Sequence, residues 1–267
     1  MARARIFIGT SGWHYKHWLG TFYPAGTTAK QQFDYYTKFF DTVEINNSFY
    51  KLPPPEVFEG WYQNSPKKFL YVIKANRFIT HNLKLTRPQE PLTRLFNSIL
   101  PLKEKLGPIL FQLPPKWKVN AERLHEFLKA LPVGYSYVFE FRNDTWYKEE
   151  VYKLLEAHNC AFCIYELGGH LSPLQITADF VYVRLHGPSA NKYQDSYSKA
   201  TLNKWARLCL EWQSQKKNVY VYFDNDQHGY AAFNAVTLKE MVSKLAAPKK
   251  EKTAIKRVER GAKRASK

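Results

Sequence analysis

The sequence is poor in cysteine. Cys160, Cys163 and Cys209 are the three in 267 residues, and a small odd number argues against a disulfide framework. Cys160 and Cys163 form a C-x-x-C string, but Ala161 to Tyr165 reads as a strand. Positions three apart on a strand face opposite ways, so the pair should not chelate one metal, and core thiols are expected. No run of 18 apolar residues occurs, which excludes a membrane-spanning helix. The start, Met-Ala-Arg-Ala-Arg, lacks an apolar secretory core, so a cytoplasmic protein is expected. Neither G-x-G-x-x-G after a strand nor G-x-x-x-x-G-K-[ST] is present, so neither nucleotide-binding fingerprint applies. Acidic residues are also scarce, with 23 Asp and Glu against 40 Lys and Arg, a net charge of +17.

That charge is uneven. Residues 248–267 carry nine Lys and Arg against two Glu, leaving +10 on the first 247 residues. The last twenty residues hold too few apolar side chains to pack and read as a disordered basic tail. Such a tail either contacts nucleic acid through phosphates or merely solubilises the chain. A folded surface near +10 favours polyanions or small anionic substrates.

Short β-rich runs alternate with amphipathic stretches. Strands are expected over Arg5–Thr10, Thr42–Asn46, Phe69–Lys74, Ile109–Leu113, Tyr137–Arg142, Ala161–Tyr165, Phe180–His186 and Val219–Asp224. Helical spacing occupies Ala29–Phe40, Pro55–Asn64, Glu90–Leu106, Ala121–Leu131, Lys148–His158, Lys199–Gln215 and Ala231–Leu245. The connection Leu167–Asp179, with Gly168, Gly169 and Pro173, has room for no full helix. Eight such units in about 250 residues predict an α/β protein, a (β/α)8 TIM-type barrel irregular at its sixth unit. Residues 1–247 would form the single barrel domain and 248–267 the tail.

Alternation along the strands sorts their side chains. Phe139 and Phe141 should face the helices, leaving Val138, Glu140 and Arg142 inside. Val181, Val183 and Leu185 likewise leave Tyr182, Arg184 and His186 inside, and Val219, Val221 and Phe223 leave Tyr220, Tyr222 and Asp224. Glu44 and Asn46, Lys74 and Gln112 also point inward. Three carboxylates (Glu44, Glu140, Asp224) and three cations (Lys74, Arg142, Arg184) thus converge near the carboxyl ends of the strands, where barrel enzymes build their sites. Buried charges must pair or serve a ligand. A salt-bridged plug and an anion pocket with acid–base chemistry both fit.

The loops at that end are rich in chemistry. Residues 9–24 carry Trp13, Tyr15, Trp18, Phe22 and Tyr23 with His14, Lys16 and His17, either as a pocket wall or as a plug under a long loop. Tyr50, Arg77, His81, Trp146, Asn225 and Asp226 sit just after strands. His81, His186, Glu140, Asp224 and Asp226 are suitable ligand types for a divalent metal, but no H-x-H or H-x-x-x-H spacing supports one, and no cofactor is named. Gly9-Thr10-Ser11-Gly12 is no nucleophile elbow. Glu44 and Glu140 would serve as a glycosidase-like acid/base pair if their separation allowed it.

The motifs Ile8-Gly9-Thr10-Ser11-Gly12-Trp13, Val43-Glu44-Ile45-Asn46 with Ser48-Phe49-Tyr50, Lys74 with Arg77 and Ile79-Thr80-His81, Gln112-Leu113-Pro114-Pro115, Phe139-Glu140-Phe141-Arg142 with Trp146, Tyr182-Val183-Arg184-Leu185-His186-Gly187 and Tyr222-Phe223-Asp224-Asn225-Asp226 follow one another in order. Together they resemble the YecE-like family, domain-of-unknown-function family 72, over roughly residues 5–245. The family's usual Phe-Asn-Asn-Asp has Asp224 at its second position here. The resemblance implies a TIM barrel without an established activity, similar in overall shape to barrels that bind DNA at a metal-containing upper face.

Three functional readings stand at this point. The first is an enzyme, a hydrolase of phosphoesters among the options, acting on an anionic substrate such as a phosphodiester, nucleic acid or sugar phosphate. In it Glu44, Glu140, Asp224, His186 and His81 do proton chemistry. Lys74, Arg77, Arg142 and Arg184 hold the anion, Trp13, Tyr15 and Trp18 stack on a ring, and Asn46, Tyr50, Gln112, Trp146, Tyr182, Asn225 and Asp226 complete the pocket. The second is a non-catalytic nucleic-acid binder. The third is a glycoside hydrolase, for which the cations are in excess. The inward carboxylates favour the first.

Overall fold

A computed structural model describes residues 3–190 and 192–247. The expected basic tail, 248–267, lies outside them. Eight parallel strands form the barrel: β1 (Ile6–Thr10), β2 (Thr42–Ile45), β3 (Leu70–Lys74), β4 (Leu106–Gln112), β5 (Tyr137–Glu140), β6 (Ala161–Leu167), β8 (Phe180–Leu185) and β9 (Asn218–Phe223). Their order is β1-β9-β8-β6-β5-β4-β3-β2. The ring closes between β1 and β2 through a single parallel bridge, Ser11 to Glu44. Gly9 makes that approach possible, since a Cβ there would sit 2.5 Å from the Thr42 carbonyl oxygen.

The helices are α1 (Ala29–Tyr36), α2 (Asn47–Tyr50), α3 (Pro55–Asn64), α4 (Gln89–Ile99), α5 (Ala121–Ala130), α6 (Glu149–Ala157), α7 (Lys199–Ser214) and α8 (Tyr230–Ala246). The sixth connection holds no helix; its β7 (His170–Leu171) folds back antiparallel on β6. The stretch expected as one helix to Leu106 ends at Ile99. Pro101 follows, a 3-10 turn takes Leu100–Lys105, and β4 begins three residues before Ile109. Among the described residues no helix is long and apolar enough to cross a membrane.

Two cores result. Outward strand residues such as Val43, Ile73, Phe139, Val183 and Val221 pack on the helices. Inside the barrel lie Phe7, Val72, Leu110, Val138, Cys163, Tyr182, Tyr220 and Tyr222. Phe7 and Tyr220 stack 4.9 Å apart. Cys160 and Cys163 fall in different cores, as the strand period requires, and all three cysteines are free. The lower barrel is thus filled with rings. Polar chemistry is confined to the carboxyl ends of the strands.

Candidate functional site at the carboxyl end of the barrel

The polar groups form two tiers. In the lower tier Arg184, on β8, is fully buried and holds two carboxylates at once. Its Nη2 donates to Glu44 Oε1 at 2.6 Å and its Nη1 to Glu140 Oε2 at 2.7 Å. Glu44 also accepts from Ser11 Oγ at 2.6 Å and from the Tyr182 hydroxyl at 2.5 Å. Glu140 accepts from Arg142 Nε as well. Burial would raise the Glu140 carboxyl, but the guanidinium groups of Arg142 and Arg184 outweigh it and hold it well below the carboxylate range. Glu44 and Glu140 are both fully buried. They do not form a glycosidase-like pair, because Arg184 stands between them and takes up their lone pairs.

His186 completes this tier. Arg142 Nη2 lies 3.0 Å from its Nε2, and an arginine only donates, so Nε2 accepts. Nδ1 therefore carries the proton and donates to Asp224 Oδ2 at 2.9 Å. Burial and the nearby Arg184 and Arg142 charges keep the ring neutral. With both nitrogens engaged, His186 orients Asp224 rather than exchanging protons with a ligand.

The upper tier meets solvent. Asp224 has both of its hydrogen-bonded contacts, to Arg184 and His186, on Oδ2. Its side chain is 17% exposed, and among the described residues Oδ1 makes no hydrogen bond or ion pair. Desolvation raises its carboxyl against the pull of Arg184 and Lys74. Lys74, at the end of β3, is 9% exposed, with Nζ 4.4 Å from the centre of the Phe49 ring. Among the described residues Nζ makes no hydrogen bond and no ion pair. Desolvation, aided by the Arg184 charge, lowers its pKa to about 8. His81, on the π-helical turn Phe78–Asn82, is held down by burial and by the Lys74 and Arg77 charges. Arg77 itself is exposed, and Gln112 is half-buried.

The aromatic loop divides. Trp18 and Tyr23 are fully buried, and Phe22 is nearly so. Trp18 therefore does not stack on a ligand. Its Nε1 donates to Asp226 Oδ1 at 2.7 Å, and His17 Nε2 lies 3.0 Å from Oδ2. Asp226 is tied to this loop, and burial raises its pKa to about 6. By contrast Trp13, Tyr15, Asn46 and Tyr50 line one pocket of about 610 Å³ with Trp61. Asn46 Oδ1 is buried there without a hydrogen-bond partner.

Three more expected ligand contacts are structural instead. Trp146 is fully buried, stacks on Phe141 and donates to the Trp117 carbonyl. Tyr182 is sealed beneath Glu44. Asn225 donates to the Asp195 carbonyl and to Asn234 Oδ1, pinning the loop after β9 to α8. Other residues at the site were not singled out from the sequence. Tyr165 lies under Arg142, with the guanidinium carbon 4.6 Å from its centre, and Tyr193 packs edge-on to His186. Alternation from Ala161 and Cys163 points Tyr165 inward, so its signal was present. Tyr193, on a long irregular loop, had none. Among the described residues no group of three or more His, Cys, Asp or Glu is placed to hold a metal ion.

A family profile described as "Protein of unknown function DUF72" matches residues 7–257. The chain belongs to the DUF72 family. A similar curated protein, UPF0759 protein YunF of Bacillus subtilis, is 26% identical over 89% of this chain and 94% of its own. UPF0759 protein YecE of Escherichia coli is 27% identical over 53% of this chain and 50% of its own. A crystal structure of a DUF72 family protein from Thermotoga maritima has 29% identity and a TM-score of 0.81, covering 90% of this chain and 99% of that one. A second DUF72 structure, from Enterococcus faecalis, is similar in fold, with 20% identity and a TM-score of 0.73, over 89% of this chain and 95% of that one. Barrel and family agree, and neither names a substrate for DUF72.

Proposed function

We propose that this DUF72 protein is an enzyme acting on an anionic substrate at the carboxyl end of its barrel. The anion would be a phosphodiester, a nucleic acid or a sugar phosphate. One observation carries the reading: Lys74 is a nearly buried cation that has no ion pair of its own among the described residues. The carboxylates around it are engaged by arginines, so an incoming anion is the partner its ammonium lacks. Arg77, exposed after β3, extends the positive potential toward solvent. Asp224, with no hydrogen bond on Oδ1 among the described residues and its carboxyl raised, gives or takes a proton at the same mouth. His186 fixes its orientation. Trp13 and Tyr50 line a separate pocket with Trp61, whose ring faces would suit an apolar part of a substrate.

The net +10 of the first 247 residues also favours a second reading, a nucleic-acid binder without catalysis. Both are tested by titrating the full chain with inorganic phosphate, glycerol 3-phosphate and a single-stranded oligonucleotide across a salt series. The enzyme reading expects small phosphates to bind and Lys74→Met to weaken them about 10-fold, a loss of about 1.4 kcal/mol. If the oligonucleotide binds with a steep salt slope while Lys74→Met changes nothing, the barrel mouth is not the site.

A further inference from the structure

Among the described residues Lys74 is unlike the other buried lysine, Lys105. Lys105 is 5% exposed, yet its ammonium donates to the Tyr62 carbonyl at 2.6 Å and to both the carbonyl and hydroxyl of Ser65 at 2.8 Å. Its three protons have three acceptors, which suits a structural lysine. Lys74 has none among the described residues, and it faces a ring instead. Carboxylates surround it, but Glu44 and Glu140 are bound by Arg184 and Arg142, and Asp224 leans on Arg184 and His186. Among the described residues no acceptor takes a hydrogen bond from Nζ. The Asp224 charge acts on this amine, and among the described residues its Oδ1 makes no hydrogen bond.

We infer that Lys74 is an amine nucleophile, and that the anionic substrate is a small aldehyde or ketone which it captures as an imine. This rests on the anion reading above and names the group that reacts. The neutral amine adds its lone pair to the carbonyl carbon as the C=O π pair moves to oxygen. That oxygen takes a proton from the Asp224 carboxyl, and Nζ returns one to the carboxylate. The same carboxyl then protonates the hydroxyl, which leaves as water while the Nζ lone pair closes a protonated C=N bond. The balance is amine, carbonyl and one proton from the Asp224 carboxyl to protonated imine plus water, with no oxidant or reductant. Desolvation works on each part in the same sense: it lowers the Lys74 amine to about 8 and raises the Asp224 carboxyl from its usual value. Arg77 at the rim is the group placed to take the substrate's phosphate or carboxylate.

The test is reductive trapping on the full chain. Dihydroxyacetone phosphate, glyceraldehyde 3-phosphate, pyruvate and glyoxylate are each added with sodium cyanoborohydride, and adducts are located by peptide mass mapping. Lys74 should be labelled at least about 10-fold more than the exposed Lys116 or Lys129 by one or more probes. Its labelling should reach half-maximum near pH 8, set by the groups that face Nζ: Arg184, Glu140, Glu44 and Asp224. Exposed lysines should label only at higher pH. The wild-type map carries the result, so no variant needs to fold; Lys74→Arg, where it folds, should lose that adduct. Label on Lys116 and Lys129 with none on Lys74, for all four probes, overturns the imine. Glycerol 3-phosphate, which has no carbonyl, separates the two readings. If it binds but no probe labels Lys74, the imine fails and the anion site stands. If it does not bind and no probe labels Lys74, both fail.

Discussion

Arg184 and Lys74 are two inward cations on one barrel, and they are solved in opposite ways. Arg184 sits on β8 with a donor on each of Glu44 and Glu140 and a third contact to Asp224 at 3.4 Å. Burial would strip its proton, yet the carboxylates hold the charge more firmly than water does. Lys74 sits at the end of β3 with an aromatic ring below it and no acceptor among the described residues. Burial and the Arg184 charge there outweigh the pull of Glu140, Glu44 and Asp224, and the charge loosens. The difference separates structure from function within one charged cluster. A saturated cation holds the fold together, whereas an unsatisfied one costs stability and persists where a ligand uses it.

The largest effect should come from breaking the saturated half. Arg184→Met would leave Glu44 buried without its counter-charge and Glu140 buried with Arg142 alone. The expected cost is about 4 kcal/mol in urea unfolding, since removing one partner of a buried ion network exposes the full desolvation penalty of the others. A cost below about 1 kcal/mol would mean the lower tier is not a closed network, and the contrast with Lys74 would lose its basis.

Lys74→Met should act with the opposite sign. The folded pKa of Lys74 is about 8 against 10.5 for an ordinary lysine. The folded protein therefore binds fewer protons than the unfolded chain between those values, and wild-type stability rises with pH across that window. Below pH 8 the penalty is complete. Replacing the amine should stabilise the protein by about 3 kcal/mol at pH 7, a gain that shrinks toward zero near pH 11. Denaturant midpoints of both proteins from pH 6 to 11 check this. A variant less stable than wild type at pH 7 would show that Lys74 is a structural cation like Arg184.

Much of this architecture could be read before any coordinates. Alternation of period two assigned the inward side chains because each strand is flanked by unambiguous Val, Ile and Phe on its outer face. What alternation cannot supply is depth. Glu44 and Asp224 both point inward, yet one is sealed in above Tyr182 and the other reaches the mouth. Nor does it show pairing: three acids and three bases on paper are compatible with three even pairs. The real arrangement gives Arg184 contacts to all three acids and Lys74 none, because a guanidinium forks and an ammonium does not. Loops were the hardest. Trp18 and Trp13 lie five residues apart on one aromatic loop, and composition alone cannot tell which is plug and which is wall.

That loop supplies the smallest effect and a finer test of the same contrast. Trp18 is fully buried, and its Nε1–H supports the Asp226 carboxylate, whose pKa burial raises to about 6. Trp18→Phe keeps a ring but removes the donor and some volume, for an expected cost of about 2 kcal/mol at pH 7.5. The indole hydrogen bond lowers the Asp226 pKa, so without it the carboxyl climbs further above its unfolded value. A carboxyl raised in the folded state costs stability as pH rises through its folded pKa, because the folded protein then loses a proton that it held more tightly than the unfolded chain. The cost of Trp18→Phe should therefore be smaller at pH 4, where Asp226 is protonated in both proteins, and should grow as pH rises through 6 and beyond. Urea unfolding of wild type and variant at pH 4, 6 and 7.5 measures it. A cost independent of pH would leave only the lost ring volume and would break the link between the aromatic plug and the acidic rim.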